Sequence, residues 1–499
     1  MNEISSYFSD LSRKYIKRLK TSRLRTSYHI IPPQESSVKE SSWYLFHPYS
    51  LSLFEIQDEI EAKILKLYEI YKNFKKVSYV LGCEENKAKD VIDEYTNLLL
   101  KKHPSHFFIP TDALSISLIV TNDCQMRCRY CYTGSGDLYN YQKTNKKKMS
   151  SVIAIKAINV LYELFPAIKT IEFFGGEPLL NIEAIKSTLK HISENYPEIQ
   201  PGIVTNGLLI NKKLAELFSR YNVPVTVSLD GFRETNDITR KLKGSGEGTF
   251  SKIQKAIECL KKYGVEVSIE STYSPDHFEL GYTPIEVIKF LDSIKSEKGA
   301  LLFKIMAEFD LLKHSQINEF ESEFNSRLLI ELYKCIDYIF KRNISDTPLY
   351  EATFLYAIGR LLSKETSLFS CPFTNSITVL PDGSVFSCQV LMKKEFYMGN
   401  VGDKDLQENF IERLRSPMEM SFIPNIDTCR LWYYPLQDIC PGITGFDILK
   451  DFKKISQSNY IFMYNASYWE RFLINYAYIL KDVEKQKKLI ENIESRRSL

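Results

Sequence analysis

No apolar run of membrane-spanning length occurs in the 499 residues, and no secretory hydrophobic region opens them. Both absences point to a cytoplasmic protein with no membrane span. Cysteine is sparse: ten in a chain this long cannot build a disulfide scaffold and suit a reducing compartment. A surplus of one charge is lacking too. With 65 Lys and Arg against 62 Asp and Glu, the formal net charge is +3, which gives no case for a nucleic-acid partner. The local exception is the basic stretch 13–25, with Arg13, Lys14, Lys17, Arg18, Lys20, Arg23 and Arg25. It reads as a solvated helix face, with membrane or RNA contact as the alternative. The length exceeds one compact domain and predicts three or four units.

What is present is spacing. Cys124, Cys128 and Cys131 form a CxxxCxxC run. An iron-sulfur cubane normally takes four thiolates; three leave one iron open to a small molecule. Short CxxC pieces also bind zinc, but no fourth ligand is close, since the next cysteine is Cys259. The run follows an apolar segment, 116–120, that reads as a buried strand, so it sits where barrel enzymes keep their chemistry. A second apolar segment, 170–174, leads into Gly175-Gly176-Glu177-Pro178. The glycines let the backbone approach a ligand, Pro178 stiffens the exit, and Glu177 offers a carboxylate to a cation. Segments 203–207, 225–231, 265–270 and 302–306 continue the strand-helix alternation to six units. Asn206, Ser228, Asp230 and Glu270 then lie at strand ends facing the mouth. Asn-Gly and Asp-Gly are also common turn dipeptides, which leaves a purely structural role open for each.

CxxxCxxC, with Tyr130 and Tyr132 around its last cysteine and GGEP downstream, resembles the radical S-adenosylmethionine (SAM) enzymes. The resemblance implies an α/β fold with a partial (β/α)6 TIM-type barrel over 106–312. It implies a [4Fe-4S] cluster on Cys124, Cys128 and Cys131 that chelates SAM, with Tyr130, Gly175, Gly176, Glu177, Pro178 and Asn206 around the cofactor. Ser228, Asp230 and Arg240 resemble the segment that contacts SAM's ribose and carboxylate in sulfatase and peptide maturases. Arg240 stands beside Lys241 and Lys243 and also reads as part of a solvated basic loop. Segment 272–277 resembles one common in peptide-thioether maturases; its His277 reads as a surface histidine on an exposed loop.

Residues 1–42 form a basic extension. The span 43–105 reads as a strand hairpin followed by helices near 59–71, 74–81 and 85–102. It resembles the small α+β, winged-helix-like recognition element that binds leader peptides in enzymes of ribosomal peptide modification; an ordinary cap on the barrel is the alternative. After a helical bridge, 313–370, Cys371 and Cys388 flank a hairpin with a Pro-Asp-Gly turn. This resembles the start of a SPASM extension over 371–445. Only Cys429 and Cys440 follow, fewer than that family's usual later block, so one auxiliary [4Fe-4S] cluster of the shortened "twitch" type is expected on Cys371, Cys388, Cys429 and Cys440. Three ligands with an open iron remain the alternative. Segment 446–499 reads as helix with an aromatic face, and Cys83, Cys259 and Cys335 as small buried residues in helices.

The resemblance implies a 5'-deoxyadenosyl radical that removes hydrogen from a ribosomal precursor peptide, its leader bound by 43–105. It also implies a low-potential electron donor such as flavodoxin or ferredoxin. The expected product is a thioether, as in sactipeptide and ranthipeptide maturases. Carbon-carbon crosslinking or epimerisation, and sulfatase maturation, stand as alternatives; from another class stands a non-catalytic peptide-binding scaffold.

Overall fold

The computed structural model describes residues 26–34, 42–102, 106–108, 115–135, 137–139, 148–305, 319–367, 376–390, 392–421 and 459–497. The basic stretch 13–25 and Cys371, Cys429 and Cys440 lie outside them.

Three small strand sets and one large sheet organise the described residues. Strands β1 (His29–Ile31), β2 (Trp43–His47) and β3 (Ser52–Ile56) form an antiparallel sheet in that order. β1 falls inside the expected N-terminal extension, so the small unit begins before residue 43. Its three residues pair across 29↔46, a contact that the sequence between them does not announce. Helices Glu59–Tyr71, Phe74–Leu81 and Glu85–Leu100 follow. Asp58 and Asn73 accept backbone N–H groups at the starts of the first two, and Gly82 ends the second in a left-handed conformation. Cys83 therefore sits in the turn after Gly82, not within a helix.

Strand alternation gives the small sheet two faces. Leu45 and Ile30 pack with Leu65, Val77 and Ile92 of its own helices, whereas Tyr44, Phe46 and Ile31 join the core of the larger body. Ordinary packing thus seats the unit on the barrel.

β4 (His106–Phe108) pairs with β13 (Glu365–Ser367), and β6 (Met126–Cys128) with β10 (Arg240–Leu242). The main sheet contains β5 (Ser115–Thr121), β7 (Thr170–Gly175), β8 (Gln200–Thr205), β9 (Val225–Ser228), β11 (Val267–Tyr273) and β12 (Leu301–Ile305). Those six strands are parallel neighbours. Their apolar, β-branched content fits strands covered on both faces, and β5 is buried from Ile116 onward. Helices such as Ser151–Leu164, Ile182–Asn195 and Pro284–Ile294 run between them. This is the α/β arrangement of a partial TIM-type barrel.

The expected hairpin at 376–387 is present as β14 (Ser376–Val379) and β15 (Ser384–Phe386), followed by β16 (Tyr397–Asn400). It is not a separate sheet. β14 pairs in parallel with β5, extending the barrel sheet to nine strands in the order β12-β11-β9-β8-β7-β5-β14-β15-β16. Helix Asn459–Leu480 packs on helix Glu319–Asn343, where Arg471 Nε meets Asp337 Oδ1 at 2.8 Å and Trp469 is wholly buried. Core packing accounts for Trp469, Phe472 and Tyr476 of that segment. No helix among the described residues is long and apolar enough to cross a membrane.

Candidate active site

A cavity of about 1130 Å³ opens at the C-terminal ends of the parallel strands. Cys124, Cys128 and Cys131 line it together with Tyr130, Gly175, Gly176, Glu177, Asn206, Ser228 and Arg240. The structure therefore brings these ten sequence-derived site residues to one place, while Pro178, Asp230 and Cys388 do not line the cavity.

Backbone contact fixes the cysteine loop. Gly176 N–H donates to Thr121 O at 3.0 Å and Glu177 N–H to Asp123 O at 2.8 Å. A Cβ on Gly175 would stand 2.1 Å from Thr121 O, and one on Gly176 2.4 Å from Asp123 O. These glycines are needed because the cysteine loop itself lies against them, a closer reason than the approach of a ligand.

The donor set fits a cluster. Cys124 Sγ accepts from Met126 N–H at 3.4 Å and Cys131 Sγ from Ser135 N–H at 3.2 Å, the kind of contact that tunes cluster sulfurs. Asn122 Oδ1 and Gln125 Oε1, on either side of Cys124, are buried with no hydrogen-bond partner among the described residues. Such orphaned acceptors suit a loop completed by a bound group. Among the described residues, no three His, Cys, Asp or Glu converge as for a single metal ion. A cubane differs from such an ion in taking one thiolate per iron. Burial pushes the Cys124 thiol up to about 12 and raises Cys128 as well, so iron must displace their protons on loading.

Glu177 is buried beside the cysteine loop. It accepts from Thr205 Oγ1 at 2.6 Å, Asn206 N–H at 2.8 Å and Leu179 N–H at 3.0 Å. Burial lifts its carboxyl to about 7 against these three donors. An arriving ammonium group would add the charge that ionises it fully. Asn206 Oδ1 accepts Leu208 N–H at 3.0 Å, and its Nδ2 lies 3.9 Å from Cys124 Sγ. Pro178 is buried and starts the short 3-10 turn Pro178–Asn181.

Arg240 is no part of a solvated loop. It is 7% exposed, its Nη1 is 4.0 Å from Cys128 Sγ, and its guanidinium lies 5.4 Å from the Tyr130 ring centre. The β6–β10 register explains this, pairing Arg240 with Cys128. Lys241 and Lys243, its neighbours, face solvent. Asp230 departs from its expected contact with SAM. It is wholly buried behind the cavity wall, holding Tyr130 Oη, Thr239 Oγ1 (2.7 Å) and Thr272 N–H (3.1 Å). His277 is likewise wholly buried, not on the surface. Its Nε2 meets the Asp230 carbonyl and its Nδ1 accepts Ser274 N–H at 3.1 Å, while its ring stacks on Tyr273 at 4.7 Å.

Deeper in the barrel lie Glu172, Glu270 and Lys304, with Glu270 and Lys304 in direct contact. Burial and the neighbouring Glu270 raise Glu172 to about 7. Only Glu270 was marked from the sequence; strand alternation from the inward Phe174 would also have pointed Glu172 into the barrel. Cys388 lies two residues beyond β15, with Val390 N–H 3.4 Å from its sulfur, and Gln389 and Val390 reach the cavity wall. Cys335 is buried at the far side of the cavity, and Cys259 is half-buried in its helix.

A family model for the radical SAM superfamily matches residues 118–279. The chain belongs to the radical SAM superfamily. It is 28% identical over 407 residues to the radical SAM cyclopropyl synthase TigE of Paramaledivibacter caminithermalis, covering 73% of this chain and 79% of that protein. To the cysteine-type anaerobic sulfatase-maturating enzyme of Clostridium perfringens it is 25% identical over 318 residues, 59% of this chain and 80% of that one. The solved structure of native anSMEcpe with bound AdoMet superposes with a TM-score of 0.59 at 21% identity, over 74% of this chain and 98% of that one. The likeness to that structure is one of fold.

Proposed function

We propose that this radical SAM enzyme uses AdoMet to modify a ribosomally made peptide at carbon, forming a carbon-carbon bond. The observation that carries the proposal is the single cavity in which Cys124, Cys128 and Cys131 face Glu177 and Arg240 while the barrel interior stays open beyond them. Cluster and cofactor, when bound, supply a 5'-deoxyadenosyl radical able to take hydrogen from an unactivated carbon. The chain's own work is placement and exclusion of water. Cys124, Cys128 and Cys131 hold the cluster, the Gly175-Gly176 backbone braces their loop, Glu177 receives the methionine ammonium, and Arg240 has donors for its carboxylate.

Carbon-carbon chemistry takes precedence over the thioether expected from the sequence. The relative aligned over 73% of the chain is a cyclopropyl synthase, and none of the relatives named above is a thioether synthase. A second reading, maturation of a residue in a sulfatase-like protein, is favoured by the Clostridium perfringens relative, at lower coverage. The β1–β3 unit supports a peptide substrate, because β3 pairs only with β2 among the described residues and leaves an edge for a leader strand. An auxiliary cluster on Cys388 with Cys371, Cys429 and Cys440 would take up the leftover electron, and flavodoxin or ferredoxin would deliver the first.

The test is anaerobic incubation of reconstituted enzyme with AdoMet, reductant and the precursor peptide encoded beside it, followed by intact mass with and without thiol alkylation. Loss of two hydrogens with every cysteine still alkylatable supports the carbon-carbon bond. One fewer alkylatable cysteine restores the thioether; oxidation of a sulfatase-derived peptide instead supports the second reading. Absence of 5'-deoxyadenosine from every incubation sinks the radical reading and leaves the peptide-binding scaffold.

A further inference from the structure

Asp230 and Arg240 form a buried pair of unlike charge beside one cluster cysteine. Asp230 is 0% exposed and its side chain has no capacity left for a ligand. Oδ2 takes Tyr130 Oη and Thr239 Oγ1, while Oδ1 takes Thr272 N–H and faces Arg240 Nε at 3.0 Å. Its carbonyl takes His277 Nε2. One residue thus ties the cysteine loop, through Tyr130, to β10, β11 and the helix Arg233–Thr239. Arg240 is the member of the pair that reaches the cavity wall, 4.0 Å from Cys128 Sγ.

Electrostatics follows from that placement. In a site screened from water, a unit charge a few ångströms from a sulfur acts on it strongly. A cluster gains one negative charge on reduction, so a nearby cation favours the reduced state and a nearby anion opposes it.

Resting on the radical SAM reading above, we infer that the Asp230–Arg240 ion pair sets the reduction potential of the cluster carried by Cys128, with Asp230 acting as a positioning residue that fixes Arg240 and Tyr130. The two charges act in opposite directions. Arg240 makes the cluster easier to reduce, and Asp230 limits that gain while holding the guanidinium in place.

The test needs no substrate. Wild type, Arg240→Gln, Arg240→Lys, Asp230→Asn, Tyr130→Phe and the Asp230→Asn/Arg240→Gln double variant are reconstituted, counted for iron and titrated by EPR-monitored reduction without AdoMet. Arg240→Gln should shift the midpoint potential to more negative values and Asp230→Asn to more positive ones. Arg240→Lys should stay near wild type, and the double variant should return toward it. A merely structural pair would shift both single variants the same way or lose iron in both, and either result overturns the inference. Equal potentials throughout overturn it as well. Should Asp230→Asn fail to fold, Arg240→Gln against Arg240→Lys decides, since only a charge effect separates them, and Tyr130→Phe should leave the potential in place. A wild-type chain that binds no iron would instead refute the radical SAM reading beneath the inference.

Discussion

The mouth of the barrel and the N-terminal unit are built to different tolerances. At the mouth, Gly175 and Gly176 lie so close to the cysteine loop that an added methyl has no room, Asp230 has its acceptor sites taken up by named partners, and Glu177 keeps room for one more donor, on Oε2. In the N-terminal unit the core is a modest apolar cluster, and Ile70 and Tyr79 stay exposed on helices without contributing to it. Chemistry at the mouth depends on where atoms are, so close backbone approach is required there. Docking of a strand needs only an open edge and an apolar footing, and many sequences supply those. That contrast makes the mouth sensitive to single atoms and the N-terminal unit sensitive mainly to charge and edge chemistry.

The sharpest break is at the sulfurs. Cys124→Ala should abolish AdoMet cleavage, measured as 5'-deoxyadenosine, because two thiolates cannot hold the cluster with one iron open. If cleavage persisted, these cysteines would not be the cluster ligands. Next comes Gly175→Ala. Gly175 has φ of 143° and no space toward Thr121 O, so backbone strain and overpacking together should cost on the order of 4 kcal/mol. The loss should appear as a lower unfolding midpoint of the iron-free protein, together with weaker iron retention. An equal change at Gly82, where nothing lies within 4 Å, should cost only the left-handed conformation, about 1 kcal/mol. Equal losses at the two glycines would refute the contrast.

The two regions also differ in how much was legible in the sequence. CxxxCxxC and GGEP announce themselves because each ligand set sits on one loop, where spacing alone fixes geometry. The helices 59–71 and 74–81 were legible for a similar reason, since their caps are local. Asp230 was legible as a site residue but not in its role: its partners Tyr130 and Thr272 lie 100 and 42 positions away in the chain. His277 misled because its local setting is a turn, while its burial comes from packing against Asp230 and Tyr273. The joining of β14 to β5 was hidden likewise, as a parallel pair between segments far apart in sequence carries no local signal.

The seam between the regions offers a pH handle. His29 Nδ1 lies 2.7 Å from Glu69 Oε1 and its Nε2 2.7 Å from Glu470 Oε1, so both carboxylates are satisfied only by the imidazolium. Burial opposes the charge, but Glu69 and Glu470 outweigh it and raise the His29 pKa. A raised histidine pKa means that the folded state binds the proton more tightly. The stabilisation is complete below the unfolded value, near 6.5, and fades as pH climbs through the higher folded value. The protection factors of β1 amides, with the intrinsic base-catalysed rate divided out, should therefore fall on the alkaline side while those of β5 hold. His29→Gln should remove that dependence and cost about 2 kcal/mol. Parallel pH profiles at β1 and β5 would show that the seam does not depend on His29.

The mildest expected effect lies on the β3 edge, and it tests most directly whether binding and chemistry are separable. Phe54 is half-buried beneath the Lys102 ammonium, 4.9 Å from its ring centre, on the strand whose outer edge pairs with nothing among the described residues. A leader strand added there would lay apolar side chains near that ring. Phe54→Asp replaces the footing with a carboxylate and should weaken leader-peptide binding by roughly tenfold, about 1.4 kcal/mol, as read by fluorescence anisotropy of a labelled peptide. The same variant should cleave AdoMet at the wild-type rate without peptide, because the cavity lies on another part of the molecule. Unchanged peptide affinity would move the docking site off β3. A loss of uncoupled AdoMet cleavage would mean that the small unit and the barrel mouth are not independent, and the contrast drawn between them would fail.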